Sequence, residues 1–406
     1  MGLNPARRPT PQEASPARPV GRAILAGSLI TALPLLCELR AGPADRAISE
    51  RWRTTPIEPR GSVELGLSFR PRQAEDLGLD VRETLATLLP YPYSVIRLSA
   101  YWDRISPEPG EFDTTELDWQ LDDAERAGKK IILCLGPIKS FGYPEYFVPP
   151  YLLEHPLPEG QLIDERSHPA LLRASTEHLT RLVERYRDHP AITAWQVEHE
   201  ATDPLGMEHS WRLATSFVRR EVDAVRAADP DRPILMNGFL PTSTSVLAQQ
   251  WWRTRDQGDS LVAARELADI VGIDFYPRHA VGSFGPWSLY LDGARGVLPS
   301  RLRHRLLEWS DRPGREVVVT EGQAEPWESV TIPPSPDSRV SASCPPERVI
   351  ENYNVCLRWT RRSRAIGSYL FWGAEYWVKR GLEGDPRYLE AFARVVRQDT
   401  GARDRA

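Results

Sequence analysis

The stretch "AWQVEHEA", residues 194–201, breaks an apolar run with two glutamates flanking a histidine. A second apolar run, "VVVTEGQAEPW", breaks off in the same manner at Glu321. A carboxyl group at the end of a buried segment is costly unless it faces a polar site, so these residue types raise the question of chemistry. Two carboxyl groups can divide one reaction, one attacking an electron-poor carbon while the other protonates the departing oxygen. Set roughly 5 to 5.5 Å apart they hydrolyse a glycosidic bond through a covalent intermediate, and at roughly 6.5 to 9.5 Å they admit a water and invert the centre instead. Glu200 and Glu321 are the pair that these runs offer. Residues 192, 194, 196, 198 and 200 alternate onto one side of an extended strand. Glu198 is therefore expected to share the direction of Glu200, and either to support it by a hydrogen bond or to pair with an arginine in the wall.

Such groups need rigid elements to aim them. Short β-rich runs recur along the chain: "VELGLSF" (63–69), "SVIRLSAYW" (94–102), "KIILCLG" (130–136), "AITAWQVEHE" (191–200), "PILMNGF" (233–239), "DIVGIDFY" (269–276), "EVVVTE" (316–321) and "AIGSYLFW" (365–372). Between them lie amphipathic stretches such as "PALLRASTEHLTRLVERYRDH", whose apolar positions recur at three and four. Eight βα units in succession imply a closed (β/α)₈ TIM barrel spanning residues 62–397, a single catalytic domain. An open doubly wound sheet would want a glycine-rich phosphate turn after its first strand, and "GLSFRPRQ" has none. In a barrel, the carboxyl ends of the strands converge on one pocket. The long proline- and aromatic-rich intervals 137–168 and 322–346 would then overhang it.

Further stretches carry a resemblance. "IRLSAYWDRISPEPGEFDTTELD", "DHPAITAWQVEHE", "GIDFYP" and "YLFWGAEYW" follow one another in an order and spacing that resemble the clan A glycoside hydrolases, retaining barrel enzymes that include cellulases, mannanases and β-galactosidases. The resemblance implies that Glu200 is the acid/base and Glu321 the nucleophile. It implies further that Arg97 and Tyr276 hold Glu321 and that Trp372 is a sugar platform, consistent with the fit of an indole to a pyranose face. Trp327, Tyr143 and Tyr146 lie on the long loops, where subsite walls are expected. His199 stands where the family has the asparagine that hydrogen-bonds the sugar 2-hydroxyl. Neutral imidazole also offers one donor, but it is bulkier and ordinarily titrates near neutrality. A carbohydrate is the implied partner and no cofactor or metal is expected. A metal-dependent hydrolase would want a histidine pair on the first strand, which "GLSFR" lacks. A transglycosylase shares all these residues. The alternative outside catalysis is a sugar-binding barrel of weak activity, suggested by His199 and opposed by the presence of both glutamates.

Composition narrows the remaining classes. A net charge of −5 with dispersed basic residues gives no footprint for nucleic acid. The four cysteines, Cys37, Cys134, Cys344 and Cys356, form no CxxC motif; Cys344 and Cys356 are near enough in sequence to bridge in an oxidising compartment, and a free pair is the default expectation. Residues 1–22 hold five prolines and four arginines against one glutamate, a composition that predicts a disordered basic tail. The fifteen uncharged residues 23–37, "AILAGSLITALPLLC", are short for a membrane span and fit an export signal or an anchor. Residues 23–44 are read as that segment, with Gly42-Pro43-Ala44 as a weak cleavage site, an extracytoplasmic destination and a membrane partner through residues 23–37. A helix packed on the domain is the other reading of the same run.

Overall fold

The computed structural model describes residues 38–43, 50–142, 145–153, 155–158, 160–203, 211–284, 287–292, 297–326, 343–360 and 366–398. Eight parallel strands close into a barrel in chain order: β2 (Glu64–Ser68), β3 (Val95–Ser99), β4 (Lys130–Cys134), β6 (Ile192–Gln196), β8 (Ile234–Phe239), β9 (Ile270–Phe275), β12 (Glu316–Gln323) and β13 (Ile366–Trp372), which returns to β2. Every strand expected from the apolar runs is present. Each is buried between the barrel interior and the outer helices, which is why its sequence is almost continuously apolar. Inside the barrel, Val95, Ile132, Ala194, Leu235, Ile270, Val318 and Leu370 form one apolar floor. The larger core lies between the strands and helices such as Pro169–Tyr186 and Thr215–Ala228, whose buried faces hold Leu179, Leu182, Phe217 and Val222.

The rest of the strands elaborate the carboxyl-end face. Two short strands, β5 (Leu162–Ile163) and β7 (Arg212–Leu213), pair across the loops that follow β4 and β6. After β9 the chain forms a hairpin, β10 (Arg278–Phe284) and β11 (Trp287–Asp292), and β1 (Leu39–Pro43) adds to its free edge, antiparallel to β11. Residues 39–43 were expected to belong to the export segment; they are a third strand of this sheet. Just before β1, the Glu38 carboxylate accepts from the Thr244 amide at 2.8 Å and from the Ser243 hydroxyl at 2.6 Å. It thereby caps the helix Thr244–Arg253, whose own N-cap side chain makes no capping bond. Among the described residues no helix is long and apolar enough to cross a membrane. Among the described residues Cys134, Cys344 and Cys356 are buried thiols not joined to one another.

Candidate active site

One step of alternation above the apolar floor, the interior turns polar. Arg97 follows Val95, Gln196 follows Ala194, Asn237 follows Leu235 and Thr320 follows Val318; all four are buried. On β9 the corresponding position is Gly272. A Cβ there would lie 2.7 Å from the Asn237 Cβ and 2.8 Å from Thr320 Oγ1, so glycine makes the room in which those two side chains meet. The next interior residue of β9 is Asp274. Its Oδ2 accepts from Asn237 Nδ2 at 2.5 Å and its Oδ1 from Thr320 Oγ1 at 2.6 Å. The register of β12 against β9 slips between Val319 and Glu321. That bulge lets consecutive residues, Thr320 and Glu321, both reach the interior.

Glu321 is held from two sides. Arg97 Nη1 donates to Oε1 at 2.9 Å and the Tyr276 hydroxyl donates to Oε2 at 2.5 Å. Burial, and then the Glu321 carboxylate, push the Tyr276 phenol well above its ordinary range, so it stays a donor. These are the contacts expected of Arg97 and Tyr276.

The strand expected to run to residue 200 stops at Gln196. Glu198 and Glu200 adopt left-handed backbone conformations, with φ of 56° and 43°. Non-glycine residues take that region only where their surroundings impose it. The loop after β4 does so here: Lys139 O accepts from the His199 amide at 3.0 Å, and Lys139 Nζ donates to Glu200 O at 2.8 Å and Asp203 O at 3.1 Å. Alternation therefore fails across this turn, and Glu198 and Glu200 do not share an environment. Glu198 accepts from the amides of Ile138 at 3.1 Å and Lys139 at 2.6 Å and meets the Glu221 carboxyl. Among the described residues its carboxyl group meets these partners rather than Glu200 or an arginine, and it clamps the loop that shapes the turn. Glu200 instead lies against Asp274. Burial first, and then the carboxylates of Asp274, Glu145, Asp203 and Glu321, raise its proton affinity well above the usual carboxylate range.

His199 sits between the two glutamates. Its Nδ1 is 3.7 Å from Glu321 Oε1, and one atom each of Glu145, His199 and Glu200 lie within 4.8 Å of one another. Its tautomer follows from donor counting. Arginine can only donate, so Gln196 Oε1 accepts from Arg97 Nε at 2.7 Å and Gln196 Nε2 must donate. Asn237 Oδ1 accepts that bond at 2.9 Å, which turns Asn237 Nδ2 toward His199 Nδ1 at 2.9 Å. Arg97 Nη2 points at the same nitrogen from 3.2 Å. With two donors on Nδ1, the ring is neutral and its hydrogen is on Nε2. Burial, and then the cations of Arg97 and Lys139, hold its pKa well below the ordinary value. A metal ion does not fit at Nδ1, because a guanidinium and an amide already occupy that lone pair.

Trp372 ends β13 with its ring over the Arg70 guanidinium at 4.2 Å and edge-on to Phe141 at 6.2 Å. Arg70, one step beyond β2, is buried between Glu325 and Glu375, at 2.9 and 2.7 Å. Tyr146 stacks on Trp211 at 4.4 Å in the loop wall. Trp327 and Tyr143 lie outside the described residues. Sequence reasoning missed Arg70, Gln196, Asn237, Asp274 and Lys139. The signal was present for four of them, since each is a polar residue interrupting or ending an apolar strand run.

A family model described as beta-galactosidase, Glyco_hydro_42, matches residues 93–220, which include Arg97, His199 and Glu200. That match spans less than half of the chain, and the solved structures of similar shape share its closed (β/α)₈ barrel. A family 5, subfamily 18 glycoside hydrolase from Streptomyces cattleya, solved with Manβ1-4GlcNAc, is 16% identical, with a TM-score of 0.50 over 77% of this chain and 70% of that one. A family 10 xylanase from Thermobacillus composti is 18% identical, with a TM-score of 0.48 over 83% and 96% of the two chains. No curated protein sequence matches the chain.

Proposed function

We propose that this glycoside hydrolase barrel cleaves a β-linked glycan or oligosaccharide with retention and without a metal, with Glu321 as nucleophile and Glu200 as acid and base. The supporting observation is the contrast between two carboxyl groups in one pocket. Glu321 accepts from a cation and a phenol, whereas Glu200 faces other carboxylates and favours its protonated form. Environments that push two carboxyl groups apart assign their roles. In the first step a Glu321 oxygen bonds to the anomeric carbon as the bond to the leaving oxygen breaks, and the Glu200 proton passes to that oxygen. In the second, water attacks the same carbon, gives its proton to Glu200 and frees Glu321. The Nε2–H of His199 supplies the donor that the clan's asparagine provides at the sugar 2-position, and Trp372 offers the platform. The family 42 match, and the β-linked disaccharide held by the Streptomyces structure, favour a β-glycoside. An extracytoplasmic destination through residues 23–37 remains part of the reading, supported by composition alone.

The test separates the two glutamates. Glu321→Ala abolishes turnover of every substrate, because no glycosyl-enzyme forms. Glu200→Ala loses poor leaving groups almost entirely while a dinitrophenyl glycoside, which departs unassisted, still glycosylates the protein. Added azide then restores turnover and yields the β-glycosyl azide. Identical responses of the two variants to leaving group and azide would overturn the assignment.

A further inference from the structure

We propose that Asp274 is the positioning residue that keeps Glu200 loaded: the two carboxyl groups share a single proton, which Glu200 delivers to the leaving oxygen. This rests on the reading of Glu200 as acid and base. The geometry is that of a paired acid. Asp274 is fully buried at the end of β9 and hydrogen-bonds with the Glu200 carboxyl. Asn237 Nδ2 and Thr320 Oγ1 fix its two oxygens at 2.5 and 2.6 Å. Asn237 is in turn oriented by Gln196 and Arg97, so the Asp274 carboxylate has no freedom to rotate away from Glu200. Two carboxyl groups in contact and out of water resist ionising together, so in the resting protein one proton stays between them.

The surroundings bear on both members. Glu321, Glu145 and Asp203 add negative charge that retains the proton. Arg97 acts on Asp274 in the opposite sense, and the donors from Thr320 and Asn237 leave Asp274 the acceptor and Glu200 the donor. When the leaving oxygen takes the proton, two ionised carboxylates are left side by side. Their repulsion makes Glu200 a stronger base for the attacking water, and the proton it takes restores the pair. One carboxylate thus makes Glu200 hold its proton in the resting protein and reclaim one in the second step.

The experiment is the pH profile of kcat/KM, which reports ionisations of the free protein. Asp274→Asn can keep both fixed contacts, because the Thr320 hydroxyl can accept as well as donate. It removes the charge, so Glu200 loses its proton at lower pH and the alkaline limb moves down. At pH 8 the loss on a poor leaving group exceeds that on a dinitrophenyl glycoside by roughly tenfold or more. Thr320→Val takes a donor from Asp274, draws the proton toward it, and moves the limb up while lowering the plateau. Infrared difference spectra against Glu200→Gln, which need no turnover, show a carboxylic-acid band in the resting protein that persists to higher pH than in Asp274→Asn. An unmoved alkaline limb in Asp274→Asn, or a band with the same pH dependence in both proteins, overturns the pairing even where the Glu321 and Glu200 variants bear out the hydrolase. Should the wild-type protein turn over no glycoside, the function fails and the band alone decides the pairing.

Discussion

At the scale of single residues, the departure of His199 from the clan's asparagine is smaller than the two side chains suggest. An asparagine at that place can accept with its oxygen and donate with its nitrogen. His199 offers the same pair of functions, accepting at Nδ1 from Arg97 and Asn237 and carrying its hydrogen on Nε2. The ordinary pKa of histidine would make that donor pH-sensitive, but burial and two nearby cations keep the ring neutral. His199→Asn should therefore fold and turn over, with an altered ranking of sugars because the amide is shorter. His199→Ala should lose roughly ten- to a hundredfold in kcat/KM, the value of one donor in a dry site. Neither the wild-type protein nor His199→Asn should show a break in activity near pH 6.5, the ordinary histidine value. An inflection there that vanishes in His199→Asn would place the imidazolium, not the imidazole, in the reaction.

At the scale of elements, the turn after β6 is imposed from outside the pocket. Glu198 binds two amides of the loop after β4 and meets Glu221 on the helix Thr215–Ala228, so a carboxyl pair joins loop, strand end and helix. Burial raises Glu198 to about 7 and Glu221 well above its usual range. A carboxyl group that binds its proton more tightly folded than unfolded favours folding most at low pH. That contribution declines as pH rises from the unfolded value, near 4.3, through the folded one, and is gone above it. Glu221→Gln keeps the shape and a donor for Glu198, so the drop in unfolding free energy between pH 5 and pH 8, measured in urea, should be smaller than in the wild-type protein. Equal drops would show that the pair holds no proton. The strands themselves were legible because buried parallel strands are near-continuous apolar runs, and a polar residue within such a run, Arg97, marked the site. Alternation misplaced Glu198 because it assumes extended backbone, and φ of 56° and 43° at residues 198 and 200 breaks that assumption. Asp274 and Asn237 each stood two residues from the ends given for "DIVGIDFY" and "PILMNGF", and only contacts across strands reveal their partner in Glu200.

At the scale of the molecule, residues 38–43 are tied into the carboxyl-end face of the barrel. The apolar composition up to residue 37 drew the following residues into the same expected segment, yet Glu38 caps the helix Thr244–Arg253 and Leu39–Pro43 completes the sheet with β10 and β11. That sheet starts two residues after Tyr276, the donor to Glu321, and Gln323 of β12 is bonded to both the amide and the carbonyl of Arg278. Strand β1 thus braces the junction that presents Tyr276. Deleting residues 1–37 should leave the melting temperature and kcat nearly as they were. Deleting residues 1–44 removes a cap worth about 1 kcal/mol and a strand's worth of pairing, so the melting temperature should fall by several degrees and kcat with it, through a loosened Tyr276. If an exported form loses a leader, its first residue should lie at or before Glu38, since a cut after Gly42-Pro43-Ala44 would discard the whole of β1. N-terminal sequencing of protein recovered from an exporting host reads this directly. A mature chain starting at residue 45 with the stability and turnover of the longer form would show that the strand braces nothing.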